Sequence, residues 1–164
     1  MAIWQFKFDL LPESGFKRLH GGLLPNLSFA RSPAGPRLVR EAQEEVNYWA
    51  GSDPFSLIPD IQTLLPERKS WSEDARMFGN EEGDAVEVWA DLVFCAADMR
   101  AISKEFLDGI LETAIKNELL LVLNENAVVL RPIVGQLVPF TEVSRAHRFC
   151  KSPSDVVKEF RNRL

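Results

Sequence analysis

Apolar residues alternate along some stretches of this chain and recur at helical spacing along others, and these two periods divide it into elements. Ile3, Trp4, Phe6 and Phe8 combine alternation with β-prone aromatics, so the N-terminal segment reads as a strand closed by the turn chemistry of Leu11-Pro12-Glu13-Ser14-Gly15. Gly15, Gly21, Gly22, Pro25, Pro33, Gly35 and Pro36 crowd the stretch that follows, which predicts a loop-rich arm with at most a short edge strand from Leu23 to Phe29. Behind Pro36, the residues Leu38, Val39, Ala42, Val46, Trp49 and Ala50 follow helical spacing and predict an amphipathic helix from about Arg37 to Ala50, stopped by Gly51. The segment holding Pro54, Pro59 and Pro66 is expected as packed coil with short turns, since Phe55, Leu57, Ile58, Ile61, Leu64 and Leu65 are too apolar for a free linker.

Further along, Ala85-Val86-Glu87-Val88-Trp89 alternates as a half-buried strand does, and Leu92 to Ala97 is a second β-prone run. The two form either a hairpin around Ala90-Asp91 or one long bent strand. Phe106, Leu107, Ile110, Leu111, Ala114 and Ile115 make one helical stripe from Ser103 to about Asn117, with Ser103 placed to cap it. Leu119 to Leu123 and Ala127 to Arg131 read as a hairpin over Asn124-Glu125-Asn126, where asparagine suits a positive-φ position. One helix is expected from about Thr141 to Cys150, and another after Ser152-Pro153-Ser154-Asp155. Paired strands favour hairpins over parallel crossovers. The expected fold is therefore α+β, a mostly antiparallel sheet with helices packed on one face. At 164 residues the chain is one domain, with residues 1–36 a strand plus loop-rich arm rather than a separate unit.

Composition narrows the class. With 46% hydrophobic and 26% charged residues the chain matches globular proteins and not disordered, collagenous or coiled-coil ones. No apolar run reaches the roughly 18 residues of a spanning helix, and the N-terminus lacks the pattern of a signal peptide, so a cytoplasmic protein is expected. The net charge of −5 is uneven: residues 41–91 carry three Lys/Arg against thirteen Asp/Glu, for −10. A surface gathering part of that charge repels nucleic-acid phosphates and anionic membranes and attracts a basic protein.

Motifs for chemistry are sparse. His20-Gly21-Gly22 has the glycines of an esterase oxyanion loop, but the chain holds no GxSxG nucleophile elbow, phosphate loop, GxGxxG or HExxH. Cys95 and Cys150 do not form a CxxC pair and read as reduced thiols; no metal or cofactor is expected. His147 and Cys150, three residues apart on one helix face, could pair as thiol and imidazole, although a packed histidine beside an inert thiol explains them more simply. In an extended strand Asp98 and Arg100 share a side, where they bind a ligand or brace the next helix as an ion pair.

Ser70-Trp71-Ser72, Gly83-Asp84 with Val86-Glu87-Val88, Asp98-Met99-Arg100 ahead of a helix, and Ser144 to Phe149 together resemble small uncharacterised bacterial proteins, over about half the chain. That resemblance implies no activity and no residue role. In general character, an acidic single domain of this kind is similar to toxin-neutralising immunity proteins.

The leading expectation is a non-enzymatic protein-interaction module with an acidic, tryptophan-containing surface built from Trp71, Glu73, Asp74, Glu81, Glu82 and Asp84, and a basic protein as partner. One alternative is a small-molecule-binding or hydrolytic enzyme whose pocket gathers Asp98, Arg100 and His147 from distant parts of the chain. Another is a structural subunit of a homo-oligomer. Charge reversal at Glu81 and Glu82 is expected to slow association with a basic partner without unfolding the domain; an unchanged association rate removes both from the binding face.

Overall fold

The computed structural model describes residues 3–27, 47–80 and 83–161. Among them, seven strands form a single antiparallel sheet of order β2-β3-β4-β5-β1-β6-β7. The strands are β1 (Gln5–Pro12), β2 (Glu67–Arg68), β3 (Ala75–Gly79), β4 (Ala85–Trp89), β5 (Leu92–Asp98), β6 (Leu119–Leu123) and β7 (Val129–Leu130). The helices are α1 (Glu13–His20), α2 (Ile58–Leu64), α3 (Lys104–Lys116), α4 (Leu137–Val143), α5 (Arg145–Lys151) and α6 (Pro153–Arg161). The expected α+β architecture is thus the observed one.

β1 lies at the heart of the sheet, paired with β5 through Phe8↔Cys95 and with β6 through Phe8↔Leu123. Its alternation sends Phe6, Phe8 and Leu10 into the main apolar layer, where they meet Val86, Val88, Val93 and Cys95 from neighbouring strands. Helices α2, α3, α4 and α5 cover that layer with Ile61, Leu107, Ile110, Leu111, Leu137 and Ala146. Leu11, Leu120 and Val122 point to the opposite side and form a smaller layer with Phe16 of α1, Leu27 and Tyr48. The apolar stripe of α3 lands as its spacing requires, and Ser103 Oγ accepts the Phe106 N–H at 3.1 Å as its cap.

Several elements differ from the pattern reading. The segment after Pro12 is a helix and not a turn or loop, because Gly15 falls in its first turn, where the helix approaches Tyr48 so closely that a Cβ would overlap the Tyr48 carbonyl oxygen. Phe16 stacks on Tyr48 at 5.9 Å, His20 Nε2 lies 2.9 Å from its hydroxyl, and Gly21, at φ 72°, ends the helix. Asn47 to Ala50 form a turn rather than the end of a helix, and residues 28–46, which carry most of that expected helix, lie outside the described residues. Trp49 anchors the turn to the sheet by donating its indole N–H to the Leu10 carbonyl at 3.2 Å.

The Pro-containing segment is helical and not coil. Asp53 Oδ1 caps a 3-10 turn, Pro54–Leu57, and Pro59 sits at the start of α2, so both prolines occupy first-turn positions that need no backbone donor. β3 has no simple apolar alternation, since Arg76 shares a face with Phe78 and forms a bidentate pair with Glu67 of the edge strand β2. β4 and β5 make a hairpin through Ala90-Asp91, closed by Trp89↔Leu92. Positive φ in the β6–β7 connection falls on Ala127, at 59°, and not on an asparagine. The helix expected over 141–150 begins at Leu137 and breaks at Ser144, whose hydroxyl caps α5 by accepting the His147 N–H at 3.1 Å.

Gly15→Ala is expected to destabilise the fold by about 1–3 kcal/mol, the usual cost of forcing atoms into an occupied space, whereas Gly22→Ala, with nothing within 4 Å of the new carbon, is neutral. Parallel thermal melts check both; equal midpoints would place the α1–Tyr48 contact outside the stabilising core.

Candidate functional site

The two ends of the β3–β4–β5 meander carry the residues that the sequence singles out. At one end stand Ala75, Trp89 and Leu92, directly paired across the three strands. At the other stand Gly79, Ala85 and Ala96, four residues along β4 and thus about 13 Å away. Trp71, Glu73 and Asp74 belong to the first end and Asp84 to the second, so they do not share one surface. Glu81 and Glu82 lie outside the described residues.

At the first end Trp71 is 75% exposed and leans on Trp89, the ring centroids 5.2 Å apart at 57°. Trp89 is half-buried, and its indole N–H donates to Glu87 Oε2 at 3.2 Å. Ser70 Oγ accepts the Ser72 N–H and donates to the Ser72 carbonyl, and Ser72 Oγ accepts the Asp74 N–H, so this connection is tied by its own hydroxyls. Glu73 and Asp74 are exposed beside the tryptophan. These features form an aromatic ledge with an acidic border.

Asp84 corrects the expected surface. It is fully buried, with Oδ1 accepting the Asp98 N–H at 2.8 Å and Oδ2 accepting from Asn80 Nδ2 at 3.1 Å. Asn80 Oδ1 in turn accepts the N–H groups of Gly83 and Asp84, and Gln5 donates to the Gly83 carbonyl. A buried carboxylate that satisfies backbone donors in this way holds a turn together and does not meet a partner.

Asp98 is also fully buried and pairs with Arg100, whose Nη2 lies 2.5 Å from Oδ2 while the Arg100 backbone N–H donates to Oδ1 at 2.8 Å. Desolvation pushes the Asp98 carboxyl upward, but the hydrogen bonds and charge of Arg100 outweigh it and leave the group below its ordinary value. The guanidinium lies over the Trp4 ring, 4.8 Å from its centroid. Gly83, at φ 108°, passes so near that a Cβ would stand 2.5 Å from Asp98 Oδ2, which requires glycine. Asp98 and Arg100 thus brace the junction of β5, the bonded residues Asn80, Gly83 and Asp84, and the N-terminal segment at Trp4.

The structure brings Cys150 into the field of this pair. Its thiol is raised by desolvation and by the Asp98 charge, with Arg100 opposing. It therefore stays protonated at neutral pH, unlike a thiolate activated by its histidine neighbour. The Nδ1 of His147 is buried without a hydrogen-bond partner. Cys95 is fully buried, its thiol pushed well up by desolvation and by the charge of Asp9. Neither of two cavities, of about 290 and 210 Å³, is lined by Asp98, Arg100 or His147. Arg100 reaches Asp98 from the turn that follows β5 and not through strand alternation, and the approach of Cys150 depends on α5 packing against β1, which carries no local signal.

Among the described residues no helix is long and apolar enough to cross a membrane, and no three His, Cys, Asp or Glu side chains converge as metal ligands. No protein-family model matches the chain, and neither a curated protein nor a solved structure matches it.

Asp98→Asn is expected to cost about 1–3 kcal/mol at neutral pH, the scale of a lost charge-assisted hydrogen bond in a buried site. Because the folded state lowers the Asp98 pKa, its contribution is complete above the unfolded value of about 3.9 and fades as pH falls through the lower folded value. Denaturant melts of both proteins at neutral and acid pH should therefore converge on acidification; a pH-independent difference would show that the charge is not what stabilises the junction.

Proposed function

We propose that this protein is a non-enzymatic interaction module of the cytoplasm that binds a basic protein through the ledge around Trp71, in the manner of an immunity or inhibitor protein. The observation that carries this reading is the 75% exposure of Trp71, the most exposed large apolar side chain among the described residues. Burying an aromatic side chain of that size is worth about 1.5–3 kcal/mol, and tryptophan is prominent among the residues that dominate interface energies. Leaning on Trp89 limits the ring's freedom before a partner arrives, which lowers the ordering cost of association.

The border gives the partner its sign. Glu73 and Asp74 are exposed on the loop, while Glu87 shares the sheet face of Trp89. Carboxylates at a rim accelerate encounter with a cationic surface and suppress acidic competitors, whereas the buried aromatic contact sets the residence time. Asp84 is not part of this surface, and Asp98 with Arg100 serves the fold beneath the sheet end.

Capture from native lysate at low and moderate salt, with wild type and variants in parallel, tests the reading. A near-stoichiometric basic protein should be retained by wild type and lost by Trp71→Ala, whose dissociation is expected to be at least about tenfold faster. Glu73→Lys with Asp74→Lys should slow association mainly at low salt. Trp71→Ala should leave the thermal midpoint within about 2 °C, as expected for less than 1 kcal/mol in a chain of this length. Retention of the same proteins by Trp71→Ala would overturn the proposal.

A further inference from the structure

The larger cavity lies away from the Trp71 ledge and shares no residue with it. About 290 Å³ in volume, it opens between the start of β1, the β6–β7 connection and helices α4, α5 and α6. That volume is near the lower end of the roughly 300–1,000 Å³ of ligand pockets, which suits a small metabolite. Phe6, Leu123 and Phe140 supply apolar walls.

The polar lining is balanced in charge. Arg145 and Arg148 stand three residues apart on α5 and therefore on neighbouring positions of one helix face, and Glu125 and Glu159 face them from the β6–β7 connection and α6. Both oxygens of Glu125 accept the Arg145 backbone N–H, at 3.0 and 2.9 Å, which fixes this carboxylate at the cavity while an ionised carboxylate still has lone pairs to offer. Arg148 and Glu159 are joined by one bond of 3.0 Å between side chains that are 48% and 46% exposed. An exposed, single-contact pair of this kind is weak and opens readily, while a guanidinium can engage a planar carboxylate through two parallel bonds.

We propose that this cavity binds a free α-amino acid with an apolar side chain. The ligand carboxylate replaces that of Glu159 on Arg148, its ammonium is received by Glu159 and Glu125, and its side chain lies against Phe6, Leu123 and Phe140. Arg145 Nε and Glu125 already form an ion pair at 3.8 Å, so the exchangeable charges are those of Arg148 and Glu159. An anion on Arg148 without an ammonium leaves the Glu159 carboxylate unanswered, and a cation on Glu159 without a carboxylate leaves the Arg148 guanidinium unanswered, whereas a zwitterion answers both while filling the apolar end.

Backbone-amide NMR titration of the whole chain tests the site. L-phenylalanine or L-leucine should produce saturable shifts at Asn126, Phe140 and Arg148, with a dissociation constant between about 10 μM and 1 mM. The single-charge analogues 3-phenylpropionate and phenethylamine should bind at least about tenfold more weakly, and Arg148→Gln and Glu159→Gln should each lose about tenfold. Both substitutions are at exposed side chains, so an unchanged spectrum elsewhere confirms folding. No saturable shift with either amino acid up to about 10 mM, analogue binding as tight as the amino acids', or undiminished binding by both variants would overturn the proposal.

Discussion

Everything in this fold depends on β1 being accepted between two strands that are remote from it in sequence. Phe8 pairs across the sheet with both Cys95 and Leu123, so β5 and β6 must both be in place before β1 has its two neighbours. A strand with neighbours on both edges and packed layers on both faces has every backbone group committed and almost every side chain buried. That placement explains why every residue of β1 from Phe8 to Pro12 is buried, with Asp9 enclosed among the apolar residues. Such long-range pairing is entropically costly to close and is offset only when the apolar layers form together.

Once β1 is held, the unequal covering of the sheet follows. The layer with Phe6, Phe8 and Leu10 receives four helices and Trp49, and the layer with Leu11 receives α1 and Tyr48 of the same turn. The two are joined through one neighbourhood, because Trp49 bonds to the Leu10 carbonyl while Tyr48 stacks on Phe16. Close contact between α1 and that turn leaves no space for a side chain at Gly15.

The same sheet separates the acidic residues by role. At one end of the meander, backbone donors and a guanidinium take the buried carboxylates of Asp84 and Asp98, which thereby become parts of the scaffold. At the other, Glu73 and Asp74 remain in solvent around an exposed tryptophan that leans on Trp89. Charge counted along the chain does not distinguish these two uses, since buried Asp84 lies in the same acidic stretch as exposed Glu73 and Asp74. The distinction is physical: a carboxylate with buried N–H partners stabilises a turn, and one in water supplies a field.

By itself the sequence determined the elements whose signal is local. The helix behind Ser103, its cap, the strands at 85–89 and 92–98, the apolar run of β6 and the Pro153 helix start all follow from periods of two or 3.6 and from end chemistry that neighbours in sequence supply. The α+β class followed from their order. Tertiary contact decided the rest. Glycine in the first turn of α1 looked like a breaker because its reason is a carbonyl more than thirty residues away, and β3 hid its alternation because Arg76 found Glu67 on the adjoining edge strand. Ser144 divides one expected helix into two because its hydroxyl caps α5 there and a carboxylate from the β6–β7 connection meets the next N–H. Of the candidate sites, the nearness of Asp98 and Arg100 was legible in their spacing, although Arg100 stands in the turn after β5 and not in the strand; the burial of Asp84, the exposure of Trp71 and the gathering of charges around the α5 cavity were not. Each of these depends on which segments pack against which, a property of the folded chain that no local period encodes.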